Sequence, residues 1–399
     1  MINFDIFHKN VLGCCAALLP FMSCHAALAG QVKVLYAFKG GNDGVSPGTG
    51  VIKDKAGNLY GTTLGGGGGS CNDGCGTVFK LAPDGVETVL YAFKGGSDGY
   101  LPEGLARDSS GILYGTTQAG GDPNCGSVGC GTVFKLTPDG TKTVLYTFNG
   151  GNDGAYPYAG LLRDQAGNLY GTTQNGGGAE NAGMVYAIAP DGTETILHAF
   201  CSVANCADGA YPEAGLIADK AGNLYGTTSG GGTGGGGVVF KVTKNETEKV
   251  LYSFCSQDNC IDGSEPFAPV VLDKAGNLYG TTLTGGQNFV GDGTLFKLAA
   301  DGTETVLHSF ELGMDGAKPN AGVTIDKDGN LYGTLDEYAG QFCQVNGIVY
   351  KLAPDGSEKL YCLPGDHPSG LVKGAGVLYG TGNRGGAYPN GLIYEIENQ

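Results

Sequence analysis

The tripeptide Tyr-Gly-Thr occurs seven times, at Tyr60, Tyr114, Tyr170, Tyr225, Tyr279, Tyr332 and Tyr379, at intervals of 47 to 56 residues. A period of that length means that one supersecondary unit is written repeatedly, and stacked copies bury what a single copy cannot. In the first complete copy, four short runs are rich in β-branched and aromatic residues: 48–54, 59–63, 77–81 and 87–93. Lys55-Ala56-Gly57-Asn58 separates the first two, and Pro83-Asp84-Gly85 the last two. Both have the residues that tight turns demand. No 3.6-residue apolar period follows the first 29 residues, so the spacing predicts four antiparallel strands per unit in an all-β chain. Scattered, 76 Gly and 16 Pro would suggest disorder, but here the glycines keep the period.

Four strands per repeat of about 40–55 residues suit a propeller blade, with a solenoid as the rival. Counting strands separates them. The third strand occurs seven times, the last at 391–396, whereas a fourth strand follows it only six times, the last at 358–363. The missing copy lies at the other end: Val-Lys-Val-Leu-Tyr-Ala-Phe at 32–38 matches Glu-Thr-Val-Leu-Tyr-Ala-Phe at 87–93. A ring uses this permutation, because the N-terminal strand completes the last blade and removes an exposed edge. The expected architecture is a seven-bladed β-propeller of four-stranded blades, one domain over residues 30–399, closed by the N-terminal strand and monomeric.

The first 29 residues read as a signal peptide. His8 and Lys9 precede an apolar run from Val11 to Leu28, and Ala27-Leu28-Ala29 is a small-x-small cleavage site. Pro20 interrupts the run, which argues against a membrane anchor. A lipid anchor at Cys24 is the alternative to cleavage. Three of the thirteen Cys (Cys14, Cys15, Cys24) lie in this segment. Of the other ten, eight form close pairs: Cys71 with Cys75, Cys125 with Cys130, Cys201 with Cys206, and Cys255 with Cys260. In an oxidising compartment these are local disulfides, with Cys343 and Cys362 joined or free. No pair has zinc-knuckle spacing. Export to the periplasm or the extracellular space is therefore expected. A formal charge of −16 excludes nucleic acid, whose phosphates need clustered Lys and Arg.

The string Asp-x-x-Gly-Asn-Leu-Tyr-Gly-Thr-Thr, a Gly-rich loop, Gly-Thr-Val-Phe-Lys-Leu and Pro-Asp-Gly together resemble the GloVer tandem-repeat family. The resemblance covers the whole mature chain. It implies an exported bacterial repeat protein, in a family whose members carry varied C-terminal surface anchors. This chain departs from it by ending at Gln399, directly after a blade strand, so secretion or periplasmic residence is expected in place of anchoring. The resemblance carries over no catalytic residue.

Strand order puts the second-to-third loops and the inter-blade loops on one face, and the tight turns on the other. The loop face is where a propeller usually places function. The glycine runs 65–69 and 234–237 lack the Lys-Ser/Thr of a phosphate loop. Every inter-blade loop carries an Asp: Asp43, Asp98, Asp153, Asp208, Asp262, Asp315 and Asp366. An Asx turn explains the first six; a ring of carboxylates holding a cation such as calcium is the alternative. Turn capping likewise explains Asp54, Asp164, Asp219, Asp273 and Asp326, although Asp326-Lys327-Asp328-Gly329-Asn330 imitates a calcium loop.

Residues common to all repeats describe the scaffold, so a site is expected where repeats differ. The positions flanking the loop Pro supply Glu103, Tyr156, Tyr158, Tyr211, Glu213 and Phe267, aromatic faces beside carboxylates at the expected channel mouth. His198 and His308 fill the slot of Tyr91 and Tyr146 and read as packing variants, and His367 stands alone. No Ser elbow or Cys–His arrangement is legible. Glu103 and Glu213 could act as acid and base across a channel. Trp is absent, which counts against quinone-cofactor propellers, sialidase-type repeats and Trp platforms for sugars. The expectation is a binding module for a glycan, a peptide or an envelope component, without a cofactor. A hydrolase or lyase on polysaccharides or lactones, or a structural envelope component, are the alternatives.

Overall fold

In six of the seven repeats the Tyr holds a hairpin shut. In the first blade, Asp54 Oδ1 accepts from the backbone N–H groups of Ala56 (3.0 Å) and Asn58 (2.9 Å). Its Oδ2 accepts from Asn58 Nδ2 (2.8 Å) and the Tyr60 hydroxyl (3.1 Å). One carboxylate thus fixes the turn and the strand that leaves it. Burial opposes ionisation there, but the bonds from Asn58, Tyr60 and Ala56 hold the carboxyl below its usual range. Asp219, Asp273 and Asp326 repeat the set with Tyr225, Tyr279 and Tyr332, and Asp164 repeats its Asn168 and Tyr170 bonds. The oxygens of Asp326 therefore serve its own turn. Gly61 follows Tyr60 because a Cβ there would lie 2.6 Å from the Phe79 ring.

The computed structural model describes residues 31–287, 291–337, 339, 343 and 347–397. The signal-peptide reading of residues 1–29, with Cys14, Cys15 and Cys24, falls outside them. Seven antiparallel sheets follow one another. The first blade comprises Ile52–Lys53, Leu59–Thr63, Thr77–Leu81 and Glu87–Ala92, paired in chain order. In the seventh, Leu392–Glu397 pairs on one side with Val377–Gly385 and on the other with the N-terminal Val32–Ala37, as a closed ring requires. Among the described residues no helix is long and apolar enough to cross a membrane.

Outside blade two, where Tyr100–Arg107 makes a full first strand, the first strands are shorter than expected. The run 48–54 yields only the ladder Ile52–Lys53, and two-residue ladders recur at Leu162–Arg163, Ile217–Ala218, Val271–Leu272 and Thr324–Ile325. Each run begins at a Pro, which cannot donate. The next carbonyls bond to a Thr of the preceding blade instead of to a strand: Thr116 Oγ1 to Ala159 O (2.9 Å), Thr172 to Ala214 (3.0 Å), Thr227 to Ala268 (3.1 Å). Thr381 Oγ1 to Thr49 O (3.1 Å) carries the series across the ring closure. Near the axis, glycines let the inner segments touch: a Cβ on Gly160 would lie 3.1 Å from the Gly104 backbone, and one on Gly50 2.6 Å from the Gly370 carbonyl.

Aromatic rings bind blade to blade. Phe38, Phe93, Phe148, Phe200, Phe254 and Phe310, at the ends of the outer strands, are almost fully buried. Each meets, nearly edge-on, a ring two residues earlier and a ring of the next blade, as Phe38 meets Tyr36 (5.3 Å) and Phe79 (5.1 Å). Such pairs contribute about 0.5–1.5 kcal/mol beyond burial alone. His198 and His308 stack in the Tyr slot on Phe200 and Phe310, as expected.

All four local disulfides form, and Cys343 joins Cys362. They fasten the loop face: Cys71–Cys75 and Cys125–Cys130 close second-to-third loops, while Cys201–Cys206 and Cys255–Cys260 close inter-blade loops. Mass mapping of non-reduced protein is expected to recover these five pairs. Bridges between different loops would contradict the assignment.

Candidate binding site on the loop face

The residue before each loop Pro has a left-handed backbone: Ser46, Leu101, Tyr156, Tyr211, Glu265, Lys318 and His367 have φ between 49° and 61°. Non-glycine residues rarely adopt it, and it persists only where the surroundings impose it. Here two blades do. The Tyr156 N–H donates to Cys130 O (3.0 Å) in the preceding blade's disulfide loop, and its carbonyl accepts from Gln174 N (3.0 Å) in its own blade. Tyr211 is pinned in the same way between Ala182 O (2.7 Å) and Ser229 N (3.0 Å). The loop face thus presents side chains from a ring of backbone positions fixed on both sides.

The repeat-breaking residues lie on this ring. Glu103 is buried, 4% exposed, whereas Tyr158 (37%), Tyr211 (43%) and Phe267 (38%) are open to solvent. Tyr156 and Glu213 are half-buried. Tyr158 joins part of the set: burial first, then the charges of Glu213, Glu103 and Tyr156, push its phenol above its usual value. Carboxyls from blades two and four are therefore both within electrostatic reach of a Tyr of blade three. Desolvation pushes Glu103 up to about 8, against a hydrogen bond from Gln118, so at neutral pH it is mostly a neutral acid able to donate. Glu213 is also raised, by burial above all and by Glu265, while Gln174 and Ser229 oppose. Tyr211 lies over Gly230, and Ser229 links it to Glu213: the Ser229 hydroxyl donates to the Tyr211 carbonyl (3.1 Å) and also bonds the Glu213 carboxyl.

Several partners were missed from sequence. Gln118 Nε2 donates to Glu103 Oε1, and Gln174 of blade three donates to Glu213 of blade four. Both Gln occupy the position after the second-strand Thr-Thr, which reads Leu64, Gln118, Gln174, Ser229, Leu283, Asp336 and Asn383. That variability was the available signal. His367, read as alone, is not: its Nδ1 lies 3.1 Å from Asp336 Oδ2, which also accepts from Asn320 Nδ2 (2.6 Å). Burial raises the Asp336 carboxyl, with His367 opposing. The pair went unread because thirty residues separate its members and only ring geometry joins blades six and seven.

The sequence matches the Gloeobacter/Verrucomicrobia repeat over residues 25–219, 124–345 and 215–399. The chain belongs to this repeat family. No curated protein matches it. Solved structures similar to it include a gluconolactonase from Xanthomonas campestris, 15% identical with a TM-score of 0.43, covering 74% of this chain and 85% of that one. A luciferin-regenerating enzyme is 14% identical with a TM-score of 0.45, covering 74% and 91%. The extracellular domain of a proposed one-component system from B. thetaiotaomicron is 11% identical with a TM-score of 0.53, covering 93% of this chain and 42% of that one. At this identity the last of these speaks for the fold alone.

In this Gloeobacter/Verrucomicrobia repeat protein the loop aspartates serve their own blade junctions. Asp43 accepts from the Tyr36 hydroxyl and Lys39 N (both 2.6 Å), and Asp98 from Tyr91 (2.9 Å) and Lys94 N (2.8 Å). Asp153, Asp208, Asp262 and Asp315 are bound likewise within their junctions. Among the described residues no three of these six converge on one point. Asp366 lies in the inner strand Gly365–Pro368. A groove of about 550 Å³ opens on the tight-turn side between blades three and four, lined by Arg163, Asp164, Asn168, Ala187, Ala218 and Lys244 among others. It exists because Ala187 stands where sister blades have Lys80, Lys135 or Lys241. Much of its lining is turn-capping scaffold, so it makes a weaker site than the loop face.

Proposed function

We propose that this protein is an exported binding module that seats a polyhydroxylated ligand, a glycan, on the loop face of the ring. Tyr156, Tyr158, Tyr211, Glu213 and Phe267 form its contact surface, and Glu103, almost fully buried, supplies a carboxyl at its edge. The observation that carries this reading is that exposed Tyr158 of blade three feels the carboxyls of both Glu103 and Glu213, from the blades on either side. Tyr and Phe offer rigid apolar faces to a sugar ring, a neutral Glu103 can donate as well as accept, and Glu213 can accept. Peptide and envelope components are the competing ligands. Five disulfides and the leader-like N-terminus support export.

The test is the Tyr158→Ala, Tyr211→Ala double variant, assayed on glycan arrays and envelope extracts. Exposed substitutions of this kind cost about 0.5 kcal/mol, so melting should hardly move while binding falls sharply. Normal binding by this variant, with loss of binding in Arg163→Ala, would place the site in the tight-turn groove instead.

One observation favours a hydrolytic reading. Asp336 orients His367 through Nδ1, which leaves Nε2 free to take a proton from water. A panel of lactones and polysaccharides should then reveal turnover that His367→Gln abolishes. Turnover unchanged in that variant would remove His367 from the chemistry.

A further inference from the structure

Six blade junctions are built alike. Each brings together a ring from one outer strand, the Asp of the loop that follows, and the first residue of the next outer strand. These sets are Tyr36–Asp43–Glu87, Tyr91–Asp98–Lys142, Tyr146–Asp153–Glu194, His198–Asp208–Glu248, Tyr252–Asp262–Glu304 and His308–Asp315–Glu358. In the second set, the third member is a cation. Lys142, its side chain 2% exposed, donates from Nζ to Asp98 Oδ1 (2.9 Å) and to the Asp98 carbonyl (2.5 Å). That junction holds a dehydrated positive charge between carboxylate and carbonyl oxygens. The others put a second carboxyl in place of the ammonium, so they have the anionic ligands without the cation.

We propose that His308, Asp315 and Glu358 form a binding site for a divalent transition metal of the zinc class, linking blades five and six. Among the described residues this is the one group of three His, Cys, Asp or Glu whose donor atoms all lie within 4.8 Å of one another. His308 Nε2 is 2.5 Å from Asp315 Oδ2. One imidazole nitrogen with two carboxylates is a ligand set suited to zinc, with water completing the shell. With a neutral imidazole the two carboxylates carry the charge that a dication cancels. The His308 and Asp315 side chains remain 26% and 16% exposed, which leaves an entry route.

The other His junction differs for a visible reason. The loop closed by Cys201–Cys206 folds over Asp208, which accepts from Ser202 N (3.0 Å), Ser202 Oγ (2.7 Å) and Val203 N (3.3 Å). Its side chain is 2% exposed, and His198 Nε2 stands off at 3.3 Å. Among the described residues Asp315 has one backbone donor, Glu311 N at 2.7 Å, and its own loop, 311–316, carries no cysteine. The Tyr junctions offer a neutral hydroxyl in place of the imidazole.

The test uses untagged, EDTA-stripped mature protein titrated with zinc chloride by calorimetry. One equivalent should bind, and a hundredfold excess over Kd should raise the melting temperature by about 3 °C. His308→Tyr restores the residue that four sister junctions carry, so it should fold, and it should weaken zinc binding by about a hundredfold or more. Glu358→Gln should weaken it as well, while His198→Tyr should leave it unchanged. The proposal fails if the parent shows no zinc binding below about 100 µM, or if both His308→Tyr and Glu358→Gln bind zinc as the parent does.

Discussion

A chain that starts at Lys39, without Gln31–Phe38, is expected to lose its cooperative melt and to aggregate. Val32–Ala37 is the outer strand of the seventh blade, pairing Val32 with Ile396, Val34 with Tyr394 and Ala37 with Leu392. Phe38 has no exposed surface, donates its N–H to Gly391 O (2.9 Å) and meets the Phe79 ring of blade one. Losing one buried Phe side chain costs about 3–5 kcal/mol. The deletion also removes the strand ladder, the Tyr36–Asp43 bond and the Lys33–Glu395 pair. That total approaches the whole stability of a typical domain, about 5–15 kcal/mol. It would also bare the long edge of Leu392–Glu397, ready to pair with another chain. Size-exclusion chromatography and thermal melts decide the matter. A truncated protein that stays monomeric and melts like the parent refutes closure by this strand.

The ring was legible because its parts are local or periodic. Asp54, Asn58 and Tyr60 act within seven residues, so the turn they build can be read from one copy and checked in the rest. Closure was legible from a count, since a fourth strand without its blade had to be the strand at the N-terminus. The length of the first strands was not legible. Sequence shows the run after Pro47 as strand-like, but its carbonyls are taken by Thr hydroxyls of the neighbouring blade, a partner about one repeat away. The site follows the same division. Positions that break the repeat could be found by comparing copies, and Glu103, Tyr158 and Glu213 came from that comparison. What holds them, Gln118 inside one blade and Gln174 across a junction, depends on which blade is next to which. Asp336 and His367 met only when blades six and seven were set side by side.

Raising the pH from about 5.5 to 9 is expected to lower the melting temperature by roughly 5 °C or more. Glu87 faces Asp43 across its junction with Lys39 nearby; burial and then Asp43 push its carboxyl up to about 8. Glu194 beside Asp153, Glu248 beside Asp208 and Glu304 beside Asp262 are pushed up to about 7, by burial and then by the paired Asp. Tyr146, Tyr186, His198 and Tyr252 face the same pockets and carry no positive charge at alkaline pH. One oxygen of each Glu, its Oε1, is buried without a partner among the described residues. In the unfolded chain these acids titrate near 4.3. Their folded values are higher, so their contribution is complete below the unfolded value and is lost as pH rises towards 8. Glu103, held as a neutral acid, adds to the loss. The turn aspartates Asp54, Asp164, Asp219, Asp273 and Asp326 have lowered values and act oppositely, losing their contribution only below about pH 4. Maximum stability should therefore fall in mildly acidic solution. Each pKa unit corresponds to about 1.4 kcal/mol, but these glutamates are half-open to solvent. Screening leaves about 1 kcal/mol each, hence about 5 °C in total. Replacing Glu87, Glu194, Glu248 and Glu304 with Gln keeps the shape of the protonated acid and removes its titration. The quadruple variant should melt above the parent at pH 9 and alongside it at pH 5. A parent whose melting temperature is flat or rising across this range would mean that the Asp and Glu of neighbouring blades do not share a pocket.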